Sequence, residues 1–165
     1  MALETAEASV ASDGHLRIAF VPGVSSAAKS VAVLVANTTK ALTYSLTPSG
    51  FNRAITENSI DDPRLTLKIT LSRPGTTSQT LELQYVYGGT SEVARPALVE
   101  GTAGFMVVRY SLDNATDWAV GQKVDVIPVL AGKQRKDAPT ANGIQTITQS
   151  FYVTGIPEDD ALTVA

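Results

Sequence analysis

The sequence contains no cysteine and a single histidine, His15. The first absence removes disulfide frameworks, thiolate metal sites and cysteine nucleophiles. The second leaves little from which to build a zinc or iron centre. A nucleophilic triad would have to use His15, beside the N-terminus, and no Gly-x-Ser-x-Gly elbow accompanies it. Charge of one sign is scarce as well. Thirteen Lys and Arg against 16 Asp and Glu give a net charge of −3 over 165 residues, without the basic excess that displaces counterions from nucleic-acid phosphates. The longest apolar run, VAVLVA at Val31–Ala36, is far short of the ~20 residues that span a bilayer. The opening MALETAEASVASDG has no basic stretch leading into an apolar core, so no secretory signal and no membrane anchor are expected, and folding is expected in the cytoplasm.

What is present points to β structure. Threonine, serine and valine are abundant and long helical patterns are scarce, which suits one mainly β domain, a sandwich or barrel with one short flanking helix. Residues 1–14 read as a flexible arm, 15–157 as the β domain and 158–165 as an acidic tail. Strands are predicted at Leu16–Val21, Ser30–Ala36, Leu42–Leu46, Leu65–Leu71, Thr80–Tyr87, Gly104–Tyr110, Lys123–Leu130 and Ile144–Thr154. Leu65–Leu71 is the cleanest, with Leu65, Leu67, Ile69 and Leu71 alternating with polar residues. It is paired with Thr80–Tyr87 as a hairpin closed around Pro74-Gly75. The helix is placed at Thr90–Glu100, with Ser91 as its cap and Pro96 as an obstacle.

The residues that invite chemistry have plainer readings. Asp61-Asp62 stands directly before Pro63, where carboxylates mark a turn. Glu158-Asp159-Asp160 lacks the alternating oxygen ligands and the glycine turn of a calcium loop. Lys133, Arg135 and Lys136 form the one basic cluster, in GKQRKDAP, with no interleaved aromatics to stack bases. They read as a solvated loop or as an intersubunit contact. Trp118, the only tryptophan, reads as a core or interface anchor. No catalytic residue, metal or cofactor is expected. The 18-residue stretch Thr47–Arg64 reads as a connection, unusually long for a compact domain and therefore a candidate for contacts. Phe51 and Ile55 share one of its faces and either cover the chain's own core or bury against another subunit.

A series of segments in fixed order resembles the major tail protein of long-tailed bacteriophages of actinobacteria. The segments are LTYSLTPSGFNRAI, IDDPRLTLKITLSRPG, TLELQYVYG, LVEGTAGFMVVRY and, above all, VGQKVDVIPVLAGKQRKDAPTANGIQTITQSFYVTG. The resemblance implies a structural virion protein that is not an enzyme. It implies hexameric rings stacked into a hollow tail tube through which DNA passes to the host without specific binding. A tape measure protein and tail-terminating proteins are the implied partners, and assembly in the host cytoplasm into the virion tail is the implied location. Thr90–Glu100 corresponds to the family's helix and Thr47–Arg64 to the loop that reaches between rings. The strands flanking GKQRKDAP become candidates for the inner barrel wall. The candidate inter-ring or intersubunit contacts are Phe51, Arg53, Ile55, Ile60, Arg64, Lys133, Arg135 and Lys136. The tube of a contractile injection machine, and a β-sandwich module for a host surface or glycan, are the alternatives.

Overall fold

The computed structural model describes residues 5–23 and 27–165, so the first four residues of the expected arm lie outside it. Half the chain is strand and helix is confined to short pieces, in keeping with the mainly β expectation. The strands are β1 (Leu16–Pro22), β2 (Lys40–Ala41), β3 (Leu46–Asp62), β4 (Leu71–Val86), β5 (Ala103–Tyr110), β6 (Lys123–Lys136), β7 (Thr146–Val153) and β8 (Glu158–Leu162). They form one antiparallel sheet in the order β2-β1-β5-β6-β7-β4-β3, with β8 also paired to β6, and the sheet curls into a half-barrel. The helical pieces are α1 (Val31–Leu34), α2 (Ala94–Ala97) and a 3-10 turn at Thr43–Ser45.

The continuous apolar runs of β1, β5 and β6 have a simple cause: these strands are buried on both faces. Successive side chains of a strand point to opposite sides. Ile18, Phe20, Met106, Val108, Ile127 and Val129 therefore enter the concave core with Leu81, Leu83, Tyr85, Ile147 and Phe151. Their neighbours Ala19, Val21, Val107, Val124 and Val126 enter a second core on the other face, under Leu34 and Trp118. Within this outer core lies Arg109, fully buried and with no carboxylate in salt-bridge contact among the described residues. Its Nη1 and Nη2 donate to the carbonyls of Asp113 (2.8 Å) and Asp117 (3.3 Å) and to Gln122 Oε1 (3.1 Å), while the buried Nε finds no partner among the described residues. The guanidinium also sits 4.9 Å from the Trp118 ring centroid, with Arg17 at 5.1 Å. Such cation–π contacts strengthen when desolvated, and this one pins the 111–122 loop to the sheet. Trp118 is thus a core anchor.

Several predicted elements take other forms. Ser30–Ala36 is not a strand: α1 turns there and lays Leu34 on the outer core, because docking outweighs the β propensity of its valines. In place of a strand at Leu42–Leu46, the 3-10 turn Thr43–Ser45 clamps the edge of β1. Leu42 is buried and donates its N–H to the Ile18 carbonyl (2.9 Å), and Thr43 Oγ1 accepts the Ile18 N–H (2.8 Å). The helix predicted over Thr90–Glu100 shrinks to the four residues of α2, with Val93 in place of Ser91 before it. Pro96 lies within that one turn, where a missing N–H is tolerated. β6 continues to Lys136, so Lys133, Arg135 and Lys136 belong to a strand and the loop begins after them. Residues 158–162 of the expected tail form β8.

The largest difference concerns residues 46–86. The predicted loop Thr47–Arg64 falls, up to Asp62, in the 17-residue strand β3, and the predicted strand Leu65–Leu71 falls, up to Thr70, in the turn that joins it to β4. Pro48-Ser49-Gly50 and Pro74-Gly75 read as chain breakers but sit at two register shifts of the β3–β4 ladder. At Gly50 a Cβ would collide with the Gln84 carbonyl and at Gly75 with that of Asn58, so both shifts require glycine. β3 is the last strand of the sheet and β4 pairs with β7 only from Thr80 onward. The prolines therefore meet no ladder that needs their missing N–H.

Candidate functional site

The β3–β4 ladder outruns the domain it starts from. β4 leaves β7 after the Thr80–Tyr152 pair, yet its pairing with β3 continues from Ile55–Gln79 to Asp62–Leu71. The eight residues from Ile55 to Asp62 give a two-stranded ribbon about 25 Å long. Such a ribbon is marginal alone in water. This one also carries unburied aliphatic side chains: Ile55, Ile60, Leu65, Leu67, Ile69 and Leu71 are all half or more exposed or nearly so, Leu65 at 95%. Around the turn, Thr66 has φ of 63°, a left-handed conformation that a β-branched residue adopts only under strain. Arg64 and Arg73 reach Asp62 Oδ2 at 2.7 and 3.4 Å. Exposed pairs of this kind contribute little, so the tip is shaped without being covered.

The base of the ribbon is held firmly. Arg53 Nη1 contacts Asp125 Oδ2 on β6 at 3.2 Å and Asp159 Oδ1 on β8 at 2.8 Å. Its Nε and Nη2 both donate to Gln79 Oε1 at 3.3 and 3.0 Å. Asp125 uses its second oxygen to accept the Asp160 N–H at 3.0 Å. One guanidinium thus fastens the far edge of the curled sheet back to its middle. At the opposite end of β3, beside the 3-10 turn, lies an open groove of about 410 Å³. Leu16, Ile18, Leu46 and Phe51 line it, with Asp13 and the 87% exposed Tyr44 on its rim.

The half-barrel thus carries a long ribbon with a bare apolar tip at one of its open edges. Residues 4–165 match the family model described as phage tail tube protein. The chain belongs to that family. No curated protein sequence matches it significantly. Among solved structures, a chain of the cryo-EM structure of the anti-feeding prophage (AFP) baseplate, 6-fold symmetrised, shares the fold. The TM-score is 0.57 with 9% sequence identity, over 93% of this chain and 95% of that one. The family is a structural one, and membership places this tail tube protein among virion tail components.

The eight residues singled out from the sequence of this tail tube protein fall on two separate surfaces. Phe51, Arg53, Ile55 and Ile60 lie on β3 and Arg64 lies at its tip, whereas Lys133, Arg135 and Lys136 lie on β6. Within the chain their surroundings differ. Phe51 is half-buried against the concave core and Arg53 is engaged in the base network. Ile55, Ile60 and Arg64 are exposed. On β6, Arg135 stands 3.6 Å from Glu82 and Lys136 lies 5.4 Å from the Tyr87 ring centroid.

Two polar features escaped sequence reasoning. Gln149 is fully buried: its Oε1 accepts the Tyr85 hydroxyl (2.9 Å), and its Nε2 donates to the carbonyls of Leu98 (2.8 Å) and Gly132 (2.7 Å). Its signal was present, since it falls in phase with Ile147 and Phe151 on the buried side of β7. Burial raises the Tyr85 hydroxyl pKa far above its ordinary value, so it remains a donor. Asp137, just past β6, accepts through one oxygen from Thr146 (2.7 Å), Thr148 (2.9 Å) and Gln84 (3.0 Å). These bonds, led by that of Thr146, hold its pKa below the ordinary 3.8. A depressed carboxyl stabilises the fold above its unfolded pKa and loses that contribution as pH falls through the folded value. Asp137→Asn is therefore expected to lower the melting temperature at pH 7, and the gap from the native protein should narrow below about pH 4. Thermal melts at pH 7 and pH 3 check this; an undiminished gap at pH 3 would contradict it.

Proposed function

We propose that copies of this chain form hexameric rings that stack into the hollow tail tube of a long-tailed, non-contractile phage of actinobacteria, through which DNA passes to the host. The observation that carries this reading is the β3–β4 ribbon, whose apolar tip has nothing to bury against in a single chain. Exposed apolar surface of this extent marks a site of contact between proteins, and a sheet with open edges gains by pairing them around a ring. Six copies is the symmetry applied to the baseplate that holds the structural neighbour.

In this arrangement the polar outer face of β4 and β7, with Thr80, Glu82, Thr148 and Ser150, lines the lumen. The net charge of −3 per chain leaves the tube without a basic excess to trap phosphates, and Arg135, cross-strand to Thr148 on this face, stands 3.6 Å from Glu82. The ends of the stack meet a tail-terminating protein, and the lumen holds a tape measure protein before ejection. Assembly takes place in the host cytoplasm. Electron microscopy of the purified chain at rising concentration tests the reading. Hollow tubes or stacked rings are expected, and a protein that stays strictly monomeric would contradict it.

A further inference from the structure

We infer that Asn142, in the loop between β6 and β7, is a site of spontaneous covalent modification, where the backbone attacks the side-chain carboxamide and converts the residue to aspartate and isoaspartate. Three observations carry it. The first is the pairing of residue types. Of the five asparagines, only Asn142 is followed by glycine. With no Cβ on the following residue, nothing shields the amide nitrogen that serves as nucleophile, and the glycine backbone is free to turn toward the carboxamide.

The second is the reason the pair stands there. The Gly143 N–H donates to the Thr140 carbonyl at 3.1 Å and closes a four-residue turn. Asn142 sits in that turn with φ of 59°, a left-handed position that favours glycine or asparagine. A Cβ at residue 143 would collide with the Thr140 hydroxyl. The turn demands both residues for its own shape, and the reactive pair comes with it.

The third is freedom. Residues 141–145 are all exposed and lie outside any strand, and the Asn142 carboxamide makes no hydrogen bond among the described residues. A single exposed hydrogen bond holds the Gly143 nitrogen, so the turn opens locally while the sheet stays folded. The other asparagines are restrained. Asn58 Nδ2 donates to Thr76 Oγ1 at 3.1 Å within the ribbon, and Asn52 lies in the β3–β4 ladder. At Asn114 the corresponding nucleophile, the Ala115 N–H, is held by Asp113 Oδ1 at 2.7 Å. At Asn37 the nucleophile belongs to Thr38, whose branched side chain crowds the approach.

The step balances without oxidant or cofactor. The Gly143 amide loses its proton to solvent base, its nitrogen bonds to Asn142 Cγ, and the Cγ–Nδ2 bond breaks to release ammonia. Water then opens the cyclic imide at Cγ, giving aspartate, or at the backbone carbonyl carbon, giving isoaspartate. One water is consumed for each ammonia released, and each event adds one negative charge to the chain's −3. The attacking form is the deprotonated amide, so the rate rises with pH. The chemistry needs only the single chain, whether or not it assembles.

Prolonged incubation of the purified full-length protein at pH 7 and pH 9 tests this, read by isoelectric focusing, peptide mass spectrometry and enzymatic methylation of isoaspartate. A new acidic species is expected, growing faster at pH 9, with the mass gain and the isoaspartate confined to the peptide that holds Asn142. Asn142→Gln, an exposed substitution that leaves the fold intact, should abolish that species. Asn142 that stays intact in the native protein, or an acidic species that persists in the variant, would overturn the inference.

Discussion

Leu65→Asp combined with Ile69→Asp should leave a folded subunit and abolish its assembly. Both side chains are mostly in water in the single chain, so their loss should change unfolding free energy by no more than about 0.5 kcal/mol. In the assembly each would be buried. Full burial of a Leu or Ile contributes about 1.5–3 kcal/mol, and a carboxylate forced into the same place adds a desolvation penalty. The loss is then at least ~4 kcal/mol per contact, roughly a thousandfold in the association constant. Sedimentation velocity, with circular dichroism as a check on folding, measures both quantities. Phe51 is unsuited to this purpose: it packs on the concave core of its own chain, and Phe51→Asp is expected to unfold the domain.

The second large effect lies in the concave core. Gln149→Leu should destabilise the fold by about 2–5 kcal/mol, because it leaves the Tyr85 hydroxyl and the Gly132 carbonyl without their Gln149 partner. The Leu98 carbonyl retains a second donor in Gln134 Nε2 at 2.9 Å and adds less. Total stability of a domain is usually only about 5–15 kcal/mol, so the loss should be plain in urea unfolding. Tyr85→Phe alone should lose about 1 kcal/mol. In the double variant the two losses should fall short of their sum, since they remove one shared bond. Strict additivity would show that Gln149 acts only through its contacts with the Leu98 and Gly132 carbonyls.

Where local pattern and tertiary environment agree, the sequence was readable. β1, β5 and the first half of β6 carry apolar runs because both faces are covered, and β4 shows its buried face in Leu81, Leu83 and Tyr85. Periodicity reports a preference for extended backbone but not the presence of a neighbour. LTLKITL has the best alternation in the chain and forms the turn of a ribbon whose surroundings are solvent. VAVLVA is rich in valine and turns as a helix because Leu34 is needed above the outer core. Proline and glycine misled in the other direction: at Pro48, Gly50, Pro74 and Gly75 they accommodate register shifts on poorly paired strand edges, a role that depends on which edges lie open.

The candidate contacts divide along the same line. Ile55, Ile60 and Arg64 were placed in a contact-making segment from its length and composition, and the structure carries them on an exposed ribbon. Arg53 is tied to Asp125 and Asp159, residues 72 and 106 positions away along the chain. No local pattern encodes such a partner. The groove was equally hidden, because it exists only where β1, the 3-10 turn and the start of β3 converge.

Under the proposed function, this tail tube family member assembles through its β3–β4 ribbon. A cryo-EM map of tubes grown from the purified chain tests it most directly. Six subunits per ring are expected, with residues 63–71 buried on a copy in the adjacent ring. Tubes in which the ribbon tips point freely into solvent would contradict it.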